Sequence, residues 1–190
     1  GADRDGQARM FKDTALGVTQ AATARRDSTA VRIAKMKDLS AAAPADAHAI
    51  LWHDTEAERE AIQKAIPKAV AVYASMELDD RERITGRFAD GELQYLATKK
   101  ILNGSGSNFQ RHCHWAIYAG IDDKFHDFIQ SVHRILRFGQ SQACRIDIIH
   151  TEAQQEQVRR LKKKWADHDA LMARMSEMIR QYGLNHVEMT

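Results

Sequence analysis

Five short apolar runs, with helical stretches between most of them, restrict this 190-residue chain to few architectures. The runs are HAILWH (48–53), AVAVY (69–73), LQYLATK (93–99), HWAIYAG (114–120) and CRIDIIH (144–150). Each is short and apolar enough for a strand buried on both faces. Thr55 with Glu58 forms a capping-box pattern that opens a helix stopped by Pro67. DDRERITGRFADG (79–91) predicts a helix ending at Gly91, and QSVHRILRFG (130–139) a helix between the last two runs. Strands alternating with helices need crossover connections, so the expected fold class is α/β with a mostly parallel sheet covered on both faces. Ligands of such sheets bind beyond the carboxyl ends of the strands. The loops after Lys99, Gly120 and Phe138 are therefore the first places to look for a site.

The flanks read differently. Residues 1–27 hold few large apolar side chains and no sustained period, which predicts partial disorder or a loose helix. Ser28 is placed to cap a helix bearing Val31, Ile33, Ala34 and Met36, which ends before AAAPADA and its Pro44. At the other end, Thr151 with Gln154 caps a helix running to about Tyr182. Val158, Leu161, Trp165, His168, Met172, Met175, Ile179 and Tyr182 recur along it at spacings of three and four. Such a stripe either straps the helix across its own domain, with Trp165 and Met172 buried, or meets a partner, self-association included.

Composition excludes little. Lys+Arg number 28 against 26 Asp+Glu, so any basic surface must be local. No apolar run approaches the length of a membrane span, and no signal peptide is visible. Cys113 and Cys144 lie in apolar runs without ligand spacing, which predicts buried thiols and a cytoplasmic protein. The chain opens on Gly1 in a polar, alanine-rich sequence, the look of a segment cut from a longer protein.

Three stretches invite a chemical reading. In TKKILNGSGSNFQ (98–110), Gly104 and Gly106 allow the backbone to approach a phosphate or ribose closely. No GxxxxGK[ST] phosphate loop and no acidic box following a strand occur anywhere in the chain. HCH (112–114) resembles half a metal site, but strand alternation sends both histidines to one face without further ligands, so no metal is expected; a metal-dependent hydrolase is the reading this disfavours. Asp122 and Asp123 follow a strand and suit a helix N-terminus better than an acid–base pair. In QSVHRILRFGQ (130–140), helical spacing would put Arg134 and Arg137 on one face, one turn apart, either as a solvated basic face or as a fixed pair of guanidinium groups.

Taken in order, AILWHDTEAE, a strand ending ATKK, GSGSNFQ, AIYAG and QSVHRILRFGQ resemble the second RecA-like lobe of superfamily 2 DNA helicases. The likeness is to the SWI/SNF-like branch, bacterial or phage type. Gln130, Arg134, Arg137, Phe138, Gly139 and Gln140 match motif VI of that branch. GSGSNFQ stands where motif V belongs, with Gly106 and Asn108 in register, and AILWHDTEAE where motif IV belongs. His133 and Leu136 depart from the usual acidic residue and histidine.

The resemblance implies a RecA-like three-layer domain over 45–152, with a helical or partly disordered lead-in (1–44) and a long amphipathic C-terminal helix and tail (153–190). It implies ATP between two lobes, with the first lobe, outside this sequence, supplying the phosphate loop and Mg2+. Arg137 then acts as the arginine finger, Arg134 beside it, and Gln130 orients them or touches the nucleotide. Gly104, Gly106, Asn108 and Gln140 fall to the ATP side. Thr98, Lys99, Lys100, Gln110 and His53 fall to the nucleic-acid backbone, DNA first with RNA not excluded. The implied function is the C-terminal lobe of an ATP-dependent DNA helicase or translocase, inactive alone. The other reading is a non-catalytic α/β nucleotide-binding or interaction module derived from that lobe.

Overall fold

A computed structural model of the chain describes residues 23, 26–102, 108–122, 124–137 and 140–182. Among them five strands form one sheet: β1 (Ala49–His53), β2 (Ala69–Val72), β3 (Tyr95–Lys99), β4 (Trp115–Tyr118) and β5 (Arg145–Ile148). Their order is β2-β3-β1-β4-β5, and every pairing is parallel. Five helices accompany them: α1 (Thr29–Ala41), α2 (Glu56–Ala65), α3 (Leu78–Ala89), α4 (Phe125–Val132) and α5 (Gln155–Tyr182). This is the RecA-like α/β fold expected from the sequence.

The apolar runs become strands because the sheet is covered on both sides, so alternate residues of one strand feed two cores. Ile50 and Trp52 of β1 pack with Leu96, Phe88, Phe109, Tyr118 and Phe128 on the side of α3, α4 and α5. Ala49 and Leu51 pack with Ala97, Ile117 and Ile62 on the other side, where Ile33 and Met36 of α1 join them. The lead-in helix thus shares the core of the sheet. The edge strand β5 is only half-buried.

Local signals act largely as read. The Thr55 hydroxyl accepts from the Glu58 N–H at 3.2 Å, and the Glu58 carboxylate accepts from the Thr55 N–H at 3.1 Å, a complete capping box. Gly91 closes α3 at φ +81°, in the left-handed region, with the His112 ring 3.0 Å from where a Cβ would stand.

Four expectations need correction. Ser28 has helical torsions and makes no cap; its hydroxyl accepts from Arg32 Nε at 3.1 Å, and Val31 is exposed. HCH precedes β4 instead of lying in it, so alternation does not govern His112 and His114. The helix placed at 130–139 runs instead from Phe125 to Val132. Phe125, Phe128, Ile129 and Val132 make its buried face at i, i+3, i+4 and i+7, which begins earlier than QSVHRILR suggests. Finally, Val158 and Leu161 of α5 are buried and Trp165 packs on Phe128 at 5.6 Å, but Leu171, Met172, Met175 and Met178 are exposed. The stripe continues past the domain it packs against, so Met172 is not on a buried face.

Candidate functional site

A parallel sheet brings all its carboxyl ends to one edge, and part of the predicted set stands there. His53 ends β1, Thr98 and Lys99 end β3, and Tyr118 ends β4. The segments read as motifs V and VI meet elsewhere, beside the residues that lead into β4 and β5: the Cys113 N–H donates to the Phe109 carbonyl at 2.8 Å and the Cys144 thiol to the Ile135 carbonyl at 3.5 Å. The Phe109 N–H donates to the Arg134 carbonyl at 3.1 Å. The Gln140 carboxamide donates to the Gln110 carbonyl at 3.2 Å and to the Ile135 carbonyl at 2.9 Å. Gln140 is thus a clamp between two loops in this structure. Asn108 folds its own loop: its Oδ1 accepts from the Gln110 N–H at 3.3 Å. Gly104, Gly106, Phe138 and Gly139 lie outside the described residues.

The arginine pair does not sit on a helix face. After Val132 the backbone tightens: the N–H groups of Ile135 and Leu136 both reach the Val132 carbonyl, at 3.0 and 2.9 Å. Arg137 leaves this turn, exposed, and its carbonyl accepts from the Gln140 N–H at 3.0 Å. Arg134 is half-buried, and burial first, then the like charge of Arg137, lowers its pKa. The two guanidinium groups therefore still feel each other. Gln130 is exposed, and its side chain meets His126 at 2.7 Å.

The residues assigned to nucleic acid divide. Thr98 is fully buried, and among the described residues its hydroxyl has no hydrogen-bond partner. Lys99 Nζ lies 2.7 Å from Glu56, and Lys100 Nζ lies between Asp54 and Asp122. Gln110 shares the loop clamp described above. Arg111 and Arg137 are exposed cations of the two loops that meet, and Lys124 is exposed past the end of β4.

His53 is 2% exposed. Burial holds its pKa down at about 4 against the raising effect of Glu58, with Lys99 lowering it further. Below pH 6.5 the unfolded chain takes up a proton that the folded one refuses, so stability falls as pH drops towards 4. At about 1.4 kcal/mol per pH unit the loss over that window is about 3 kcal/mol. Urea midpoints at pH 7 and pH 4.5 should show most of it, and His53→Leu should flatten the difference. A wild-type midpoint unchanged between the two pH values would contradict this. Glu56, held at about 2 by hydrogen bonds from Lys99 and Arg59, adds a further loss only below its ordinary range.

Sequence reasoning missed one group. Arg32 of α1, buried at 1% exposure, donates to Glu58 Oε1 at 2.9 Å and to the Ala119 carbonyl just past β4. Glu58 was visible as a capping residue, but nothing in the sequence links it to an arginine 26 positions earlier. Among the described residues no cluster of three or more His, Cys, Asp or Glu could hold a metal ion. Burial pushes the Cys113 thiol up to about 12, which keeps it protonated and inert.

No protein-family model and no curated protein matches the chain. Solved structures do. The C-terminal part of the Fun30 ATPase domain superposes with a TM-score of 0.59 at 18% identity, over 68% of this chain and 44% of that one. The C-terminal domain of the DEAD-box protein Dbp5 gives 0.60 at 13% identity, over 72% and 79%. S. cerevisiae Dbp5 bound to Gle1 and IP6 gives 0.60 at 14%, over 73% of this chain and 37% of that chain. At such identities the likeness is one of fold. The chain spans less than half the length of the first and third.

Proposed function

We propose that this chain is the C-terminal lobe of an ATP-dependent motor on nucleic acid, a DNA helicase or translocase of the SWI/SNF-like branch. The observation that carries the reading is the junction of GSGSNFQ with the arginine segment, through Phe109 to Arg134 and Gln140 to Gln110. Two segments that resemble adjoining parts of one machine are bonded to each other. ATP is assigned to the cleft between this lobe and a first lobe that supplies the phosphate loop. Mg2+, assigned to that first lobe, lessens the charge on the phosphates when bound. Arg137 faces solvent and is the group free to reach across such a cleft; Arg134, behind it, adds charge. A planar, permanently charged guanidinium suits the charge that spreads over a phosphoryl group in transfer.

Nucleic acid is assigned to the exposed cations Arg111, Lys124 and Arg137. Contacts of this kind position a backbone without reading sequence. The test is binding of the chain to DNA of unrelated sequences across a salt series. Weak binding is expected, with a log–log salt slope of about −2 to −3 for three cations, and no ATP hydrolysis by the chain alone. Tight binding that ignores salt, or turnover of ATP by this chain, would count against a motor lobe.

A further inference from the structure

A single carboxamide ties two loops together beside the residues that lead into β4 and β5. Gln140 Nε2 donates to the Gln110 carbonyl at 3.2 Å and to the Ile135 carbonyl at 2.9 Å, and Gln140 Oε1 accepts from the Gln142 N–H at 3.0 Å. Two carbonyl partners require the amino group and an N–H partner requires the oxygen, so these contacts fix which way the amide faces. Both of its N–H bonds are then occupied, and none is left for a phosphate or a base. The turn that carries the two arginines needs such partners. A helix that stops leaves its last carbonyls without the N–H groups that continuing would supply. Here α4 stops at Val132, and donors from outside the turn take over. The Arg134 carbonyl accepts from the Phe109 N–H at 3.1 Å and the Arg137 carbonyl from the Gln140 N–H at 3.0 Å. The Ile135 carbonyl accepts from Gln140 Nε2 and, at 3.5 Å, from the Cys144 thiol. Gln140 thus holds two of these three carbonyls, one through its side chain and one through its backbone.

We propose that Gln140 is a positioning residue for the arginine turn and not an ATP contact. Its side chain grips the Ile135 carbonyl, between the two arginines, and the Gln110 carbonyl of the neighbouring loop at once. That grip sets the backbone from which Arg134 and Arg137 project. The orienting role that the resemblance gives to Gln130 falls instead to Gln140, since Gln130 is exposed and its side chain meets His126. The effect on hydrolysis rests on the motor-lobe reading above; the positional claim does not.

The experiment compares Gln140→Leu, which keeps the bulk and removes the amide, with Gln140→Glu, which turns an oxygen towards two carbonyls. On this chain, both should speed hydrogen exchange of the Phe109, Ile135 and Leu136 amides by about tenfold relative to those of β1. In a protein carrying both lobes, each should lower kcat by about 10- to 100-fold with KM for ATP unchanged, because the arginines are misplaced while the nucleotide is still held. Wild-type exchange with a raised KM would make Gln140 a nucleotide contact and overturn the proposal. Wild-type exchange with wild-type kinetics would overturn it as well. Faster exchange with an unchanged kcat would overturn the kinetic consequence. If Gln140→Leu does not fold, Gln140→Glu, which keeps an acceptor for the Gln142 N–H, carries the same tests. A two-lobed protein that does not hydrolyse ATP before any substitution would defeat the motor reading, and the exchange readout alone would then decide Gln140.

Discussion

Arg137→Ala, made in a protein that carries both lobes, should lower ATP hydrolysis by about 10³ to 10⁵-fold and leave ATP binding nearly intact. On the motor-lobe reading proposed above, the first lobe holds the nucleotide, so affinity should survive the loss of a group acting from across the cleft, whereas the transition state should lose its compensating charge. The structure makes this variant a clean one. Arg137 is exposed and past the end of α4, and the hydrogen bond at that position uses its carbonyl, which alanine keeps. Arg134→Ala should be similarly severe but harder to interpret, because Arg134 is half-buried and its removal also disturbs packing. Lysine at 137 should rescue poorly, since one ammonium does not reproduce a planar fork. The double alanine variant should cost less than the two single effects combined, as groups of one site act together. Single-turnover hydrolysis and equilibrium binding of a nucleotide analogue separate the two effects. Near-wild-type hydrolysis by Arg137→Ala would end the arginine-finger assignment.

What the sequence discloses here follows from the range over which each signal acts. A strand buried on both faces must be apolar throughout, so AILWH and WAIY announce themselves as β1 and β4. The Thr55–Glu58 box is legible because it spans three residues. The limits of α4 are not, because QSVHRILR keeps helical spacing after the backbone has begun to tighten at Val132. Periodicity in α5 identifies one face but not whether anything covers it, which is why Val158 is buried while Met172, on the same stripe, is exposed. Lys100 looks like half of a basic pair in TKK, yet its partners lie at 54 and 122, joined to it only by the topology of the sheet. The segments of the candidate site are legible in the sequence, and the ties among them are not.

Glu58→Ala should be the most destabilising single change in the core of the site, at about 3–5 kcal/mol. Glu58 and Arg32 are each 1% exposed, so neither charge can turn to water when the other is removed. Without Glu58, the Arg32 guanidinium loses a carboxylate at 2.9 Å, while its contacts to the neutral Ala119 carbonyl and Ser28 and Thr29 hydroxyls stay. The Asp54 and Thr55 N–H groups lose their acceptor as well. Arg32→Met should cost less, because methionine refills the stem and the carboxylate retains those two amide donors. Combining Arg32→Met with Glu58→Leu removes both charges at once. The double variant should therefore regain on the order of 1–3 kcal/mol relative to the sum of the singles. Against a total stability of about 5–15 kcal/mol, Glu58→Ala approaches the threshold of folding, so denaturant midpoints should be taken on all variants at low temperature. A cost below about 1 kcal/mol for Glu58→Ala, or additive behaviour of the pair, would show that the pair is not what binds α1 to the sheet. Coupling of the expected size would make α1 part of the site, since Arg32 then fixes both the exit of β4, through Ala119, and the carboxylate that orders Asp54 beneath Lys100.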